Sequence, residues 1–547
     1  MQPQHINSGN LPENKSGQKI TEFRAVWVAT INNIDWPSKP NLPAEEQKRE
    51  FLKLLDSFQK FNLNVVILQV RAASDAFYKS KTEPWSIFLT GKQGRPPFPF
   101  YDPLAWAIEM CHQRGMELHA WFNPFRVRNA GMYQLDPNSF AARHPQYVRE
   151  YDKKLFLDPG YPEVRLHLLA VISEVAHNYD VDAIILDDYF YPYPIAGKRF
   201  GDEKSFAKFG REYYPKRLKD WRRENINIFI SSLHDSLQSI NPRIKFGISP
   251  FGIWRNKSSD PQGSPGFRGT SSYDDLYADV LKWLKNSWID YVIPQLYWEE
   301  GNHFGNFTSM VKWWSENSFD KPLYVGQALY KSTAKKNGWV QPDELNNQIN
   351  FLRTNQKVRG FAFYSASNLS KLSVSQVKAL CDNQLNYSVA IDDDRRKPAL
   401  DQTVATELVA DSSANESSAK SEDYELFKQN FLSSLTESPI SEREIADSLT
   451  IITTTFRRTK GTKILSYQLP GNAAHPLTAL IALQKTGKNV YFQSFQGFIE
   501  KGNLTITDQL WKKLKGKKLI IVSRGPLHKT DHYSSFFELK RRRIKRL

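Results

Sequence analysis

The sequence predicts a (β/α)8 barrel followed by a flexible linker and a small α/β accessory domain. Three observations support this. Short apolar runs alternate with segments of helical period from Phe23 to about Ala366. Eight such runs can be counted, the number that closes a barrel. The runs end in polar and aromatic residues, as strands do where they open into a working face.

The predicted strands are Phe23–Thr30, Asn64–Arg71, Glu117–Phe125, Ala183–Tyr189, Lys245–Phe251, Tyr291–Trp298, Leu323–Tyr330 and Gly360–Ser365. Each is rich in β-branched or aromatic residues and reads as buried on both faces. Between them, Pro43–Phe61 carries Phe51, Leu54, Leu55 and Phe58 at helical spacing. Asp102–Arg114 opens on Asp-Pro, an N-cap followed by proline at the first helical position, and stops before Gly115. Pro162–Tyr179 repeats the proline start. Ser271–Lys285 places Leu276, Val280, Leu281 and Leu284 on one face, and Asp343–Thr354 follows Pro342. A doubly wound open sheet would carry a glycine-rich phosphate turn after its first strand. Thr30-Ile-Asn-Asn-Ile-Asp-Trp-Pro has none.

Residues 1–21 are polar and read as a disordered N-terminal segment. The barrel spans 22–390, a linker rich in Asp, Ser, Ala and Glu spans 391–425, and 426–547 form the accessory domain. Within it, Lys463–Leu469, Val490–Phe495 and Lys518–Ser523 read as strands, and Pro476–Leu483 and Asp508–Leu514 as helices. The formal charge of +16 is concentrated at the end of the chain, where residues 501–547 hold 14 Lys and Arg against 3 Asp and Glu. Such a tail can contact a polyanion: nucleic acid, anionic lipid or an anionic wall polymer.

Two cysteines, Cys111 and Cys381, form no metal-spaced or CxxC pattern, so neither a structural zinc site nor a redox motif is expected. Cys111 lies on an apolar helix face, as a buried free thiol would. No apolar run is long enough to span a membrane. Residues 1–19 show no apolar core of a signal peptide. No cofactor is indicated.

The strand ends carry the chemistry. The first offers Asn32, Asn33, Asp35 and Trp36; the second Gln69, Arg71, Asp75 and Tyr78; the third Trp121, Asn123 and Arg126. The fourth ends in Asp187 and Asp188, followed by Tyr189, Tyr191 and Tyr193. The fifth gives Ser249, Trp254 and Arg255, and the sixth Gln295, Tyr297, Trp298, Glu299 and Glu300. The seventh and eighth add Gln327 with Tyr330, and Tyr364 with Ser365. Amides and arginine–carboxylate pairs hydrogen-bond vicinal hydroxyls, aromatic faces stack on pyranose rings, and carboxyls supply acid and base for glycosidic cleavage. Asp187 or Asp188 is the expected nucleophile or base, and Glu299 the expected proton donor. Because neighbouring strand residues face opposite sides, only one Asp should meet the sugar, the other orienting Arg71 or Arg126. A lone His119 at the third strand, with His112 in a helix and His144 in a loop, does not make a metal hydrolase. There is no Gly-x-Ser-x-Gly elbow for serine catalysis. The alternatives are a non-catalytic sugar-binding barrel, or polyanion binding through the basic C-terminal domain with the barrel as passenger.

These motifs resemble those of the bacterial glycosyl hydrolase-like family 10. The matching stretches are Arg24-Ala-Val-Trp27 with Asp35-Trp-Pro-Ser38, Leu68-Gln69-Val-Arg71 with Asp75-Ala-Phe-Tyr78, and Glu83-Pro-Trp-Ser86 with Leu89-Thr-Gly91. Further along are Arg114-Gly-Met-Glu-Leu-His-Ala-Trp121-Phe-Asn123-Pro, Leu157-Asp-Pro-Gly160, Asp187-Asp-Tyr-Phe-Tyr-Pro192, Gly247-Ile-Ser-Pro-Phe-Gly252 and Pro294-Gln-Leu-Tyr-Trp298. The resemblance covers about residues 22–370. It implies a TIM-type catalytic barrel, a carbohydrate polymer such as a cell-wall glycan as substrate, and an extracytoplasmic site, with the leader absent from this chain. Asp187 stands nearest the position where related barrels carry a catalytic Asp. Ala183 replaces the glycine usual before the fourth strand, and the region after Glu425 matches no recognised accessory module.

Overall fold

The computed structural model describes residues 21–391, apart from positions 130, 132, 213, 267–268, 304, 335–338 and 340–342. Beyond residue 391 it describes the backbone of strands between Ile451 and Arg546. The chain divides into two compact units, Met1–Arg396 and Lys397–Leu547.

The first unit is a closed parallel barrel. Its strands are β1 (Phe23–Val28), β2 (Val65–Arg71), β3 (Glu117–Phe122), β4 (Ala183–Leu186), β5 (Lys245–Ile248), β6 (Tyr291–Val292), β7 (Leu323–Gln327) and β8 (Val358–Phe363). Each pairs with its sequence neighbours, and β1 closes on β8 through Phe23 opposite Gly360 and Val26 opposite Phe363. The eight expected strands are present, but most leave the ladder earlier than the apolar runs suggest, because the chain splays at the mouth. In β6 the ladder stops at Val292, two residues before Pro294, which has no N–H to donate.

Alternation along the strands divides the core in two. Phe23, Ala25, Trp27, Val65, Ile67, Trp121, Ala183, Ile185, Tyr291, Ile293, Tyr324 and Ala362 fill the barrel interior. Their neighbours, among them Val26, Val28, Val66, Leu68, Leu118, Ile184 and Leu186, pack outward against the helices. Burial on both faces explains why the strands read as unbroken apolar runs. Gly247 is required by this packing: a Cβ there would sit 2.1 Å from the Tyr291 ring.

The helices begin as their sequences direct. Asp102 caps Pro103–His112, its carboxylate accepting from Leu104 N and Ala105 N, both at 3.1 Å. Ala44–Lys60, Pro162–Asn178 and Glu344–Thr354 also form where expected. The predicted helix Ser271–Lys285 is shorter, Val280–Lys285. The Asp275 carboxylate takes Ser271 N, and Ser272 Oγ donates to Phe251 O, so side-chain bonds hold 271–279 in turns. A long helix at Leu218–Ile240 was not anticipated. Nor was a small antiparallel sheet of Arg126–Arg128, Val148–Tyr151 and Lys154–Leu157, inserted after β3. Cys111 is buried and free, as expected.

At the base of the barrel the first and last segments are clasped. Thr21 bridges Ala390, and Arg24 Nη1 donates to Tyr387 O at 2.7 Å. Glu22 pairs with Arg24 and Arg353 at 2.6 and 2.8 Å.

In the second unit, every described element is a strand. Seven run in the order Asn489–Gln496, Leu477–Leu483, Leu519–Arg524, His532–Ser534, Ile451–Thr459, Thr462–Gln468 and Lys501–Ile506, with Phe537–Leu539 and Ile544–Arg546 beside them. The segment read as a helix, Pro476–Leu483, is instead a strand. Its short apolar run Leu-Thr-Ala-Leu-Ile-Ala-Leu has no polar face for a surface helix, and it pairs on both sides within the sheet. The expected helix Asp508–Leu514, the linker 391–425 (beyond its first residue) and the N-terminal residues before Thr21 lie outside the described residues, as do the side chains of the basic tail.

Candidate active site

The site is the layer above the apolar barrel interior. Inward parity runs through Ile67 to Gln69, through Trp121 to Asn123, through Ile185 to Asp187 and through Ile293 to Gln295. Four strands thus present amide, amide, carboxyl and amide at one level. Trp27 and Trp121, edge to face at 4.9 Å, form the apolar floor beneath them.

Asp187 and Asp188 are both buried, at 4% and 1% exposed. The ladder ends at Leu186, so Asp188, which follows the inward-facing Asp187, is not turned to the outer face. The two side chains reach toward different strands but share one environment. Asn123 Nδ2 donates to Asp187 Oδ2, and Tyr189 N to Asp187 Oδ1 at 3.3 Å. Tyr193 Oη donates to Asp188 Oδ2, and Gln295 Nε2 to Asp188 Oδ1 at 3.3 Å. Arg126 stands beside both, its guanidinium 4.6 Å above the Tyr189 ring. Burial, then repulsion from Asp188, pushes the Asp187 carboxyl up, against the opposing pull of Arg126. The Trp121 indole N–H pulls the same way as Arg126, though it is buried without a partner in hydrogen-bonding geometry. Burial also raises Asp188. Each charge raises the cost of the other, so the pair gives up its two protons in separate steps.

Aromatic rings surround the pair. Tyr364 lies 6.0 Å from Tyr297 and 6.2 Å from Tyr330, and Tyr297 meets Tyr330 edge-on at 6.1 Å. Tyr189 meets Tyr193 at 5.2 Å. These tyrosines are half-buried, and Tyr330 is 37% exposed, so ring faces and hydroxyls border an opening.

Of the residues picked out from sequence, Gln69, Trp121, Asn123, Arg126, Asp187, Asp188, Tyr189, Gln295, Tyr297 and Tyr364 come together here. Others do not. Trp36 is fully buried, its indole donating to Gln47 O at 2.8 Å, and serves the core. Arg71 does not orient an Asp of the pair. It is fully buried against Glu83 at 2.6 Å and donates to the Asn123 and Pro124 carbonyls at 2.7 and 2.8 Å. Tyr78 is buried against Tyr179, and Asp75 accepts from Ile87 N at 3.0 Å, its carboxyl raised by burial to about 7. Gln327 is buried on Gln348, Trp298 packs on Phe251, and Trp254 stacks on Trp313 in a separate groove with Lys257 and Lys285. No contact joins Glu299 to the pair. It accepts from Asn302 Nδ2 at 3.0 Å, and this bond, with the charge of Lys331, holds its carboxyl below the ordinary value despite the upward push of burial.

Sequence reasoning named Tyr193 only as a neighbour of the pair and passed over Lys331, which donates to Tyr297 O at 2.6 Å. The signal for Tyr193 was the Tyr-Pro-Tyr-Pro run directly after the two acids. Nothing local marks Lys331. Among the described residues no cluster of His, Cys, Asp and Glu could hold a metal ion.

A closed barrel whose strand ends bring a buried carboxyl pair, amides and tyrosine rings to one mouth is of glycosidase type. Comparison with known proteins gives the particular assignment. The chain belongs to the glycosyl hydrolase-like 10 family, whose model matches residues 22–341. It is 42% identical over 367 residues to glycosyl hydrolase YngK of Bacillus subtilis (strain 168), covering 66% of this chain and 71% of that one. It is 33% identical over 399 residues to glycosyl hydrolase DigH of Escherichia coli (strain K12), covering 68% and 88%. Among solved structures, α-L-fucosidase isoenzyme 2 from Paenibacillus thiaminolyticus aligns at 10% identity and a TM-score of 0.39, over 66% of this chain and 48% of that one. That likeness carries no argument about function.

Proposed function

We propose that this protein hydrolyses glycosidic bonds in a polysaccharide or cell-wall glycan, with Asp187 and Asp188 as its acid/base pair. One observation carries the reading: two adjacent buried carboxyls stand at the barrel mouth among amides and tyrosine rings, and burial favours the protonated form of both. General acid/base cleavage of an acetal needs both forms at once. The carboxylic acid protonates the departing glycosidic oxygen. The carboxylate faces the positive charge that develops at the anomeric carbon, where water forms the new C–O bond and gives its proton back to the pair. Arg126 keeps the pair from holding two protons, and the tyrosine rings supply stacking faces for pyranose units.

Glu299, the proton donor expected from sequence, fits this role less well. Its carboxyl is held ionised and belongs to a network with Asn302. In the proposed mechanism the pair does both jobs, and Glu299 anchors the loop after β6. An extracytoplasmic substrate is part of the same proposal, supported by the family resemblance alone.

The test is a screen of the purified chain against bacterial-wall and plant glycans, with products identified by mass. Asp187→Asn and Asp188→Asn are expected to bind the responsive glycan and release no product. Wild-type protein that binds a glycan yet releases nothing from any member of the panel would refute hydrolysis and leave a sugar-binding barrel.

A further inference from the structure

Two backbone N–H groups at the end of β1 set the direction of a hydrogen-bond chain that ends on Asp187. Thr30 N and Ile31 N point at the side-chain oxygen of Gln69, at 2.9 and 2.8 Å. A backbone N–H can only donate, so that atom is Oε1 and the amide cannot be turned round. Gln69 Nε2 then donates to Asn123 Oδ1. This fixes the second amide too, leaving Asn123 Nδ2 to donate to Asp187 Oδ2. The other oxygen of Asp187 faces Tyr189 N, and the Trp121 indole nearby is also a donor. Asp187 is thus met by donors alone, and a proton on either oxygen would have no acceptor.

Asp188 is placed differently. Gln295 Nε2 donates both to Ser249 O at 3.1 Å and to Asp188 Oδ1, so that amide is fixed as well. Asp188 Oδ2, however, faces the Tyr193 hydroxyl, which accepts as readily as it donates. Only this oxygen of the pair can carry a proton without losing its hydrogen bond. The other charged or titratable groups facing the pair are Arg126, Tyr189, Tyr297 and Tyr364. None of them gives Asp187 a hydrogen-bond acceptor.

We propose that Asn123, its amide oriented by Gln69, is a positioning residue that holds Asp187 as the carboxylate and consigns the shared proton to Asp188. Gln69 and Asn123 then act on the reaction through Asp187 and not as sugar contacts. The catalytic meaning rests on the glycosidase reading above; the location of the proton does not. Within that reading, Asp188 is the acid and Asp187 the group facing the anomeric carbon.

The test is carboxyl-carbon NMR on the full chain with 13C-labelled aspartate, the two resonances assigned by their loss in Asp187→Asn and Asp188→Asn. In the wild type the Asp188 resonance is expected to carry the upper of the pair's two titration steps, and Asp187 mainly the lower one. Asn123→Leu removes the donor at similar volume and is expected to raise the Asp187 midpoint by about one unit or more, the size of a lost hydrogen bond to a charged group. Gln69→Met, which frees the Asn123 amide, should move it the same way by less, and serves if Asn123→Leu fails to fold. Kinetically, Asn123→Leu should lower kcat at least about tenfold with KM within about twofold, because the loss falls on the reacting carboxylate. An Asp187 resonance that carries the upper step in the wild type overturns the proposal, as does an Asp187 midpoint unmoved in both variants. The expected titrations in a protein that hydrolyses no glycan would overturn the glycosidase reading alone.

Discussion

Replacing Arg71 by methionine tests how the site is braced. Arg71 is fully buried, and its guanidinium donates to Glu83 Oε1 through Nε at 3.0 Å and Nη2 at 2.6 Å, to the Asn123 and Pro124 carbonyls, and to Ser74 Oγ at 3.0 Å. Methionine keeps much of the volume and none of the donors. Glu83 is then left buried with only His167, at 3.2 Å, to face it. Breaking one side of a buried ion pair costs about 3–5 kcal/mol. For a barrel of this size that lowers the unfolding midpoint by roughly 4–6 °C. The acid response gives an independent value. Although burial pushes it up, the charge of Arg71 and the hydrogen bond from His167 bring the Glu83 carboxyl from 4.5 down to about 2. That shift is worth roughly 3 kcal/mol of stability, present above pH 4.5 and lost as the pH falls toward 2. Arg71→Met should remove this acid sensitivity along with the stability. The assay is denaturant unfolding of the barrel transition at pH 7 and pH 3, on Arg71→Met, Glu83→Leu and the double variant. The double variant should be more stable than Arg71→Met, because it buries no unpaired charge. A cost below about 1 kcal/mol for Arg71→Met, or a double variant no better than the single, would refute the reasoning.

Two further outcomes follow from the packing and the site. Gly247→Ala places a methyl 2.1 Å from the buried Tyr291 ring and should cost about 1–3 kcal/mol in denaturant unfolding, so an alanine variant of wild-type stability would mean the interior is looser than described. Glu299→Gln should keep kcat within about tenfold of the wild type on whichever glycan is cleaved, whereas Asp187→Asn should lose at least a hundredfold, the scale of a lost acid/base group. Equal losses would return proton donation to Glu299.

The sequence carried the barrel well because its strands are buried on both faces and its helices start on local signals. Asp102-Pro103 named a helix start from two residues, and the structure shows the cap made by that carboxylate. The site layer was legible for a related reason. Gln69, Asn123, Asp187 and Gln295 sit one inward step beyond apolar interior residues, so strand parity alone carries them to one level. Burial of the outer candidates was not legible. Trp36 looks like a sugar platform until helix Ala44–Lys60 covers it, and the partner of Arg71 lies in an irregular loop twelve residues on. The state of Glu299 depended on Asn302 and on Lys331 in a separate element. The Leu477–Leu483 run was ambiguous because seven residues, six of them apolar, suit either structure, and only its two neighbours in the sheet decide.

The clasp of Thr21 on Ala390 makes the barrel unit portable. Its two ends meet at the face away from Asp187, within one backbone bridge of each other. The unit can therefore be spliced into a surface loop of a host protein, or tethered to a bead by either end, without threading a linker across the opening. A ligand would still reach the mouth from the free side.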